Sequence, residues 1–62
     1  SEKEMQEYFK LKELYAGWIC TGIAIGYTMD QIADFLYYDQ HEISLNERDL
    51  LKKGDKEGWK KI

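Results

Sequence analysis

Cys20 is the single thiol of the chain and His41 its single imidazole. A nucleophile needs a base beside it, and paired acids need a shared pocket. Cys20 stands in an apolar, uncharged stretch, which predicts an inert packing thiol rather than a reactive one. Asp39, His41 and Glu42 are close in sequence, but their spacing is not that of a metal site with a defined geometry. One cysteine excludes an intramolecular disulfide, and one histidine with no cysteine nearby excludes a standard structural zinc site. There is no glycine-rich phosphate loop and no His-Glu-x-x-His pattern. The expectation is therefore a protein that is not an enzyme and takes no cofactor and no metal. A lone thiol and the lack of a basic-then-apolar leader fit a cytoplasmic setting.

The remaining chemistry is carried by charge. The net charge is −3, but it is unevenly placed. No basic residue occurs between Lys12 and Arg48, a stretch that holds Glu13, Asp30, Asp34, Asp39, Glu42 and Glu47. Lysines concentrate instead at the end, as Lys52, Lys53, Lys56, Lys60 and Lys61. Asp30 and Asp34 are four apart, on one side of a helix. Asp39 and Glu42 continue the acidic surface, with Tyr37 and Tyr38 among them. Carboxylates of this kind steer encounter with a cationic surface, and tyrosine rings anchor it. Asp30, Asp34, Tyr37, Tyr38, Asp39 and Glu42 are thus the expected contact surface. The partner would be a protein with a basic surface, such as a groove that otherwise holds nucleic acid.

These side chains need elements to position them. The chain has 62 residues and no proline. Three of its Ser/Thr residues have Glu or Gln three places on: Ser1 with Glu4, Thr28 with Gln31, Ser44 with Glu47. That is capping-box spacing, and it predicts three helix starts. Gly26 and Gly54 supply the stops, the second after Lys52 and Lys53. The helices predicted are 2–25, 29–38 and 45–53, forming one domain over 1–54 with a basic tail over 55–62. In the first, Tyr8, Leu11, Tyr15, Trp18, Gly22 and Ile25 form one stripe, and Met5, Phe9, Ala16, Ile19 and Ile23 a second. Its second half is apolar nearly all round, which predicts a long, central, buried helix. Ile32, Ala33, Phe35 and Leu36 are the expected inner face of the second helix, and Leu45, Leu50 and Leu51 that of the third. Gly17 and Gly22 each cost up to about 1 kcal/mol inside a helix, which close packing of another helix would explain, with a hinge near Gly17 as the alternative. A core this small is marginal without a disulfide, a metal or a partner. Tyr15, Trp18, Ile19 and Gly22 are the expected self-association face of a homodimer. The uncharged run over 14–29 is shorter than the roughly 20 apolar residues of a membrane span, so no membrane role is expected. The fold class is all-α, three-helix.

Residues 28–43, TMDQIADFLYYDQHEI, resemble the helix-turn-helix of bacterial and phage regulators, through Ile32-Ala33, Leu36, Tyr38 and Ile43. The resemblance covers about a quarter of the chain and implies a tri-helical fold with a helix that reads the major groove. On that reading Gln40, His41, Asn46 and Arg48 would lie near bases and the C-terminal lysines on phosphates. The sequence departs from the pattern where Tyr37 replaces the usual turn glycine, and Asp39 and Glu42 stand where phosphates would lie. Affinity for DNA rests on lysine and arginine, which the second helix and turn lack. Residues 23–36, IAIGYTMDQIADFL, also resemble helical-hairpin anti-repressors, which displace half of a repressor's dimer interface. The expectation is accordingly a protein-binding regulator or inhibitor of the phage and mobile-element kind, with a DNA-binding regulator as the alternative.

Overall fold

The computed structural model describes residues 1–60 and is helical without strands among them. It contains α1 (Glu2–Leu14), α2 (Ala16–Ala24), α3 (Met29–Asp34), a π-helical turn (Phe35–Asp39) and α4 (Leu45–Glu57). The all-α expectation holds.

All three sequence-derived helix starts are capping boxes with both hydrogen bonds made. At α3 the Thr28 hydroxyl accepts from the Gln31 N–H at 3.2 Å, and the Gln31 side chain accepts from the Thr28 N–H at 2.9 Å. At α4, Ser44 and Glu47 repeat the exchange at 3.1 and 2.8 Å. Each box satisfies backbone donors that have no partner within the helix.

The predicted long first helix is two helices. Tyr15 leaves helical geometry at φ −110° and ψ 27°. Its hydroxyl donates to the Glu42 carbonyl at 2.8 Å, which ties the break to the loop before α4. Neither proline nor glycine marks position 15, and the apolar stripe runs through it unbroken. The local signal is Gly17, where a hinge is the alternative to close packing, and the observed break falls two residues before it. After it, α2 buries only Ile19 and Gly22. A Cβ at Gly22 would lie 2.7 Å from Ile32 Cδ1, so this glycine lets α3 sit against the α2 backbone. Nothing lies within 4 Å of the equivalent point on Gly17. The close-packing account holds within the chain for Gly22 and is corrected for Gly17.

Gly26, at φ 104°, closes α2. Gly26 N–H bonds to the Ile23 carbonyl at 3.1 Å and Tyr27 N–H to that of Gly22 at 2.9 Å, the paired bonds of a Schellman stop. The same pair recurs at α4 one turn later than predicted. Gly58, not Gly54, is left-handed at φ 69°, with bonds from Gly58 N–H to Asp55 and from Trp59 N–H to Gly54. Gly54 instead lies inside α4, where the Tyr8 ring occupies the space of a Cβ. The domain boundary expected after residue 54 therefore falls within a helix. Trp59 packs back on Tyr8, with ring centroids 5.5 Å apart at 87°. Lys61 and Ile62 of the expected tail lie outside the described residues.

The core is Tyr8, Leu11, Ile19, Met29, Ile32, Ala33, Leu36, Ile43, Leu50 and Leu51. Trp18, Ile23 and Ile25 are exposed, contrary to the expectation of a first helix buried on several sides, and so are Phe35 and Leu45, expected on the inner faces of the second and third helices.

Candidate functional site: an apolar cleft beside an acidic turn

The acidic surface is only partly outward. Asp34 meets Lys52 Nζ at 2.7 Å and Arg48 Nη1 at 3.7 Å. The absence of bases between positions 12 and 48 had implied an unopposed row of carboxylates. The packing of α4 on α3 corrects this at Asp34, because cations distant in sequence arrive across the helix pair. Arg48 also binds the Tyr38 hydroxyl at 2.7 Å and Asp49 at 2.9 Å. Its guanidinium lies 5.4 Å from the centroids of both Tyr37 and Tyr38, within cation–π range. Tyr37 is half-buried in this arrangement, and the two rings meet edge to face at 4.8 Å. Asp34 and Tyr37 thus act as internal braces.

Asp30, Asp39 and Glu42 remain exposed, with no ion pair among the described residues. Tyr38 keeps an exposed ring. The π-helical turn produces this layout. Gln40 N–H bonds to the Phe35 carbonyl at 3.0 Å, a five-residue reach, and Glu42 N–H bonds to that of Leu36 at 2.9 Å. His41 then takes a left-handed φ of 54°. The positive-φ residue of the turn is therefore His41, four places after Tyr37, where the helix-turn-helix pattern has its glycine. Burial raises the pKa of the Tyr15 hydroxyl above its ordinary value, with the Glu47 and Glu42 carboxylates adding to the effect.

A second feature is not marked as a site by any motif in the sequence. A cleft of about 450 Å³ opens between α2 and α3. Trp18, Ile25 and Tyr27 form one wall, Ile32 and Phe35 the other, and the Gly22 backbone lies between them. The Trp18 and Phe35 rings are in contact at 5.4 Å. Leu14 is 68% exposed, Ile25 67%, Tyr27 54%, Trp18 44% and Phe35 37%. A single exposed leucine needs no explanation, but a contiguous apolar patch rimmed by polar residues marks an interaction surface. The available signal was the uncharged run over 14–29, whose apolar residues exceed what one small core can bury.

Of the expected self-association residues, Trp18 lies at this surface. Ile19 and Gly22 are buried in the chain's own core, and Tyr15 is half-buried and bonded to Glu42. They correct the expected face, since they are spent on internal packing. Of the residues expected near DNA bases, Gln40, His41 and Asn46 are exposed, while Arg48 is committed to Tyr38, Asp49 and Asp34. Lys53 pairs with Glu4 at 3.2 Å, so two of the C-terminal lysines close ion pairs inside the fold. Among the described residues no group of three His, Cys, Asp or Glu side chains could hold a metal ion. Among the described residues no helix is long and apolar enough to cross a membrane. No protein-family model, curated protein or solved structure matches the chain.

Proposed function

We propose that this chain is a protein-binding regulator that works by covering a surface of a larger protein. The observation that supports it is the open apolar cleft of α2 and α3, lined by the exposed Trp18, Ile25, Tyr27 and Phe35. Large apolar and aromatic side chains set around a concavity are the usual energetic centre of a protein contact. Thr21 and Gln31 supply the polar lining of the cleft, while Asp30, Asp39, Glu42 and the ring of Tyr38 are exposed on α3 and the segment after it. The carboxylates favour a partner with a basic surface and speed its approach. Asp34 and Tyr37 support this surface from within.

The test is capture from cells of the source organism with two variants. Ile25→Glu places a charge in the anchor, and capture is expected to be lost. Asp30→Lys combined with Asp39→Lys reverses the steering charge, and capture is expected to weaken and to lose its dependence on salt. Far-UV circular dichroism unchanged in both variants ties the losses to the surface. Undiminished capture by both variants contradicts the proposal.

A further inference from the structure

We infer that the resting occupant of the cleft is a second copy of this chain, joined about a two-fold axis with α2 of one copy lying along α2 of the other. The inference rests on the docking reading above and names its first partner.

Charge is one reason. A two-fold interface sets each surface patch against itself, so any charged residue near the axis meets its own sign. From Leu14 to Met29 the chain has no formal charge, and every residue of α2 is neutral. This is the part of the molecule that can face its own copy without repulsion. Asp30 and Asp34 of α3 and the lysines of α4 lie outside this uncharged run.

Area is another. Large side chains carry about 150–250 Å² each when fully exposed. The exposed fractions of Trp18, Ile25, Tyr27 and Phe35 then leave on the order of 400 Å² of apolar side-chain surface per copy. Two such faces total roughly 800 Å², the size of a weak, concentration-dependent contact.

Shape agrees. The patch carries both a hollow and an exposed Ile25 at its edge that can enter the hollow of the opposing copy. Gly17 lies beside Trp18 with nothing within 4 Å of where its Cβ would be. Nothing within the chain accounts for a glycine there, whereas a helix from the opposing copy crossing close to α2 does.

The experiment is sedimentation equilibrium of the full chain at rising concentration, with tryptophan emission followed in parallel in the wild type and in Trp18→Phe, which separates Trp18 from Trp59. The wild type is expected to move from 7.4 kDa toward twice that mass at concentrations on the order of 100 µM, with a blue shift of emission as the cleft dries. Ile25→Glu and, independently, Gly17→Lys are expected to weaken association at least tenfold. Both positions are exposed, so both variants are expected to keep wild-type circular dichroism. A wild-type mass fixed at that of one chain overturns the inference, as does a dimer that tolerates both substitutions. A monomer that gains the blue shift only on phosphatidylcholine vesicles overturns it in favour of a lipid surface. If the chain is monomeric while Ile25→Glu still abolishes capture of another protein, the second copy is excluded and the docking face stands. If capture is also unaffected, both readings fall.

Discussion

Replacing Gly54 with alanine tests the packing of the fold at its tightest point. Gly54 lies in the interior of α4, where alanine ordinarily gains about 1 kcal/mol from helix propensity. Here the added Cβ would overlap the Tyr8 ring, meeting three of its carbons well inside contact distance. That ring is 2% exposed and is wedged against Phe9 and Trp59 at 5.5 Å each. It is not the loose end of a flexible side chain, so it must shift bodily. Overpacking of this kind costs about 1–3 kcal/mol or more, and loss of the edge-to-face contact with Trp59 adds about 0.5–1.5 kcal/mol. Net destabilisation of Gly54→Ala is therefore expected at about 1–3 kcal/mol. In a domain this small that lowers the thermal midpoint by roughly 4–8 °C per kcal/mol. Urea unfolding followed by circular dichroism reads it directly. Gly17→Ala is the internal control: with open space at its Cβ it is expected to be neutral or to stabilise by up to about 1 kcal/mol, measured below the concentration of self-association. Combining Gly54→Ala with Tyr8→Leu is expected to recover part of the loss relative to the sum of the single changes. A Gly54→Ala protein as stable as wild type would refute the packing argument.

Other consequences follow from single contacts. Tyr15→Phe removes the donor to the Glu42 carbonyl and is expected to cost about 0.5–1.5 kcal/mol in urea unfolding. It should also speed amide exchange around Glu42, and unchanged exchange there would separate the break in the first helix from the loop. Thr28→Ala and Ser44→Ala each remove a cap and are expected to cost about 1 kcal/mol, whereas alanine at the uncapped Thr21 should cost less. The Lys53 ammonium, aided by the chain's N-terminus, holds the Glu4 carboxyl below its ordinary 4.5. A carboxylate with a lowered folded-state pKa contributes stability that is complete above about pH 4.5 and drains away as pH falls through the lowered value. The gap in urea midpoint between wild type and Lys53→Met is therefore expected to close as acid is added, and a gap independent of pH contradicts that pairing.

What was legible in the sequence follows from the range of the forces involved. The three helix starts rest on hydrogen bonds over three residues, so Ser1, Thr28 and Ser44 could be read directly. Leu50, Leu51, Ile32 and Leu36 repeat at helical spacing and are buried as read. The failures are long-range. The break at Tyr15 depends on an oxygen 27 residues away. Gly54 looked like a stop because the ring that requires it belongs to α1. Asp34 looked unopposed because Arg48 and Lys52 reach it from α4. The acidic tyrosine surface was legible as composition, but periodicity alone could not show which members turn inward. The cleft is illegible for a related reason: the apolar period of residues 14–25 is that of a buried helix, and only the count of helices available to cover it shows that one side stays open.

The claim that most needs testing is that this open side is where another polypeptide docks. A photo-cross-linking amino acid placed at Tyr27, inside the cleft, and separately at Lys10, outside it, tests this in cells of the source organism. The account predicts discrete polypeptide adducts from position 27, whether a second copy or another protein, and none from position 10. No adduct from position 27, or the same adducts from both positions, would contradict it.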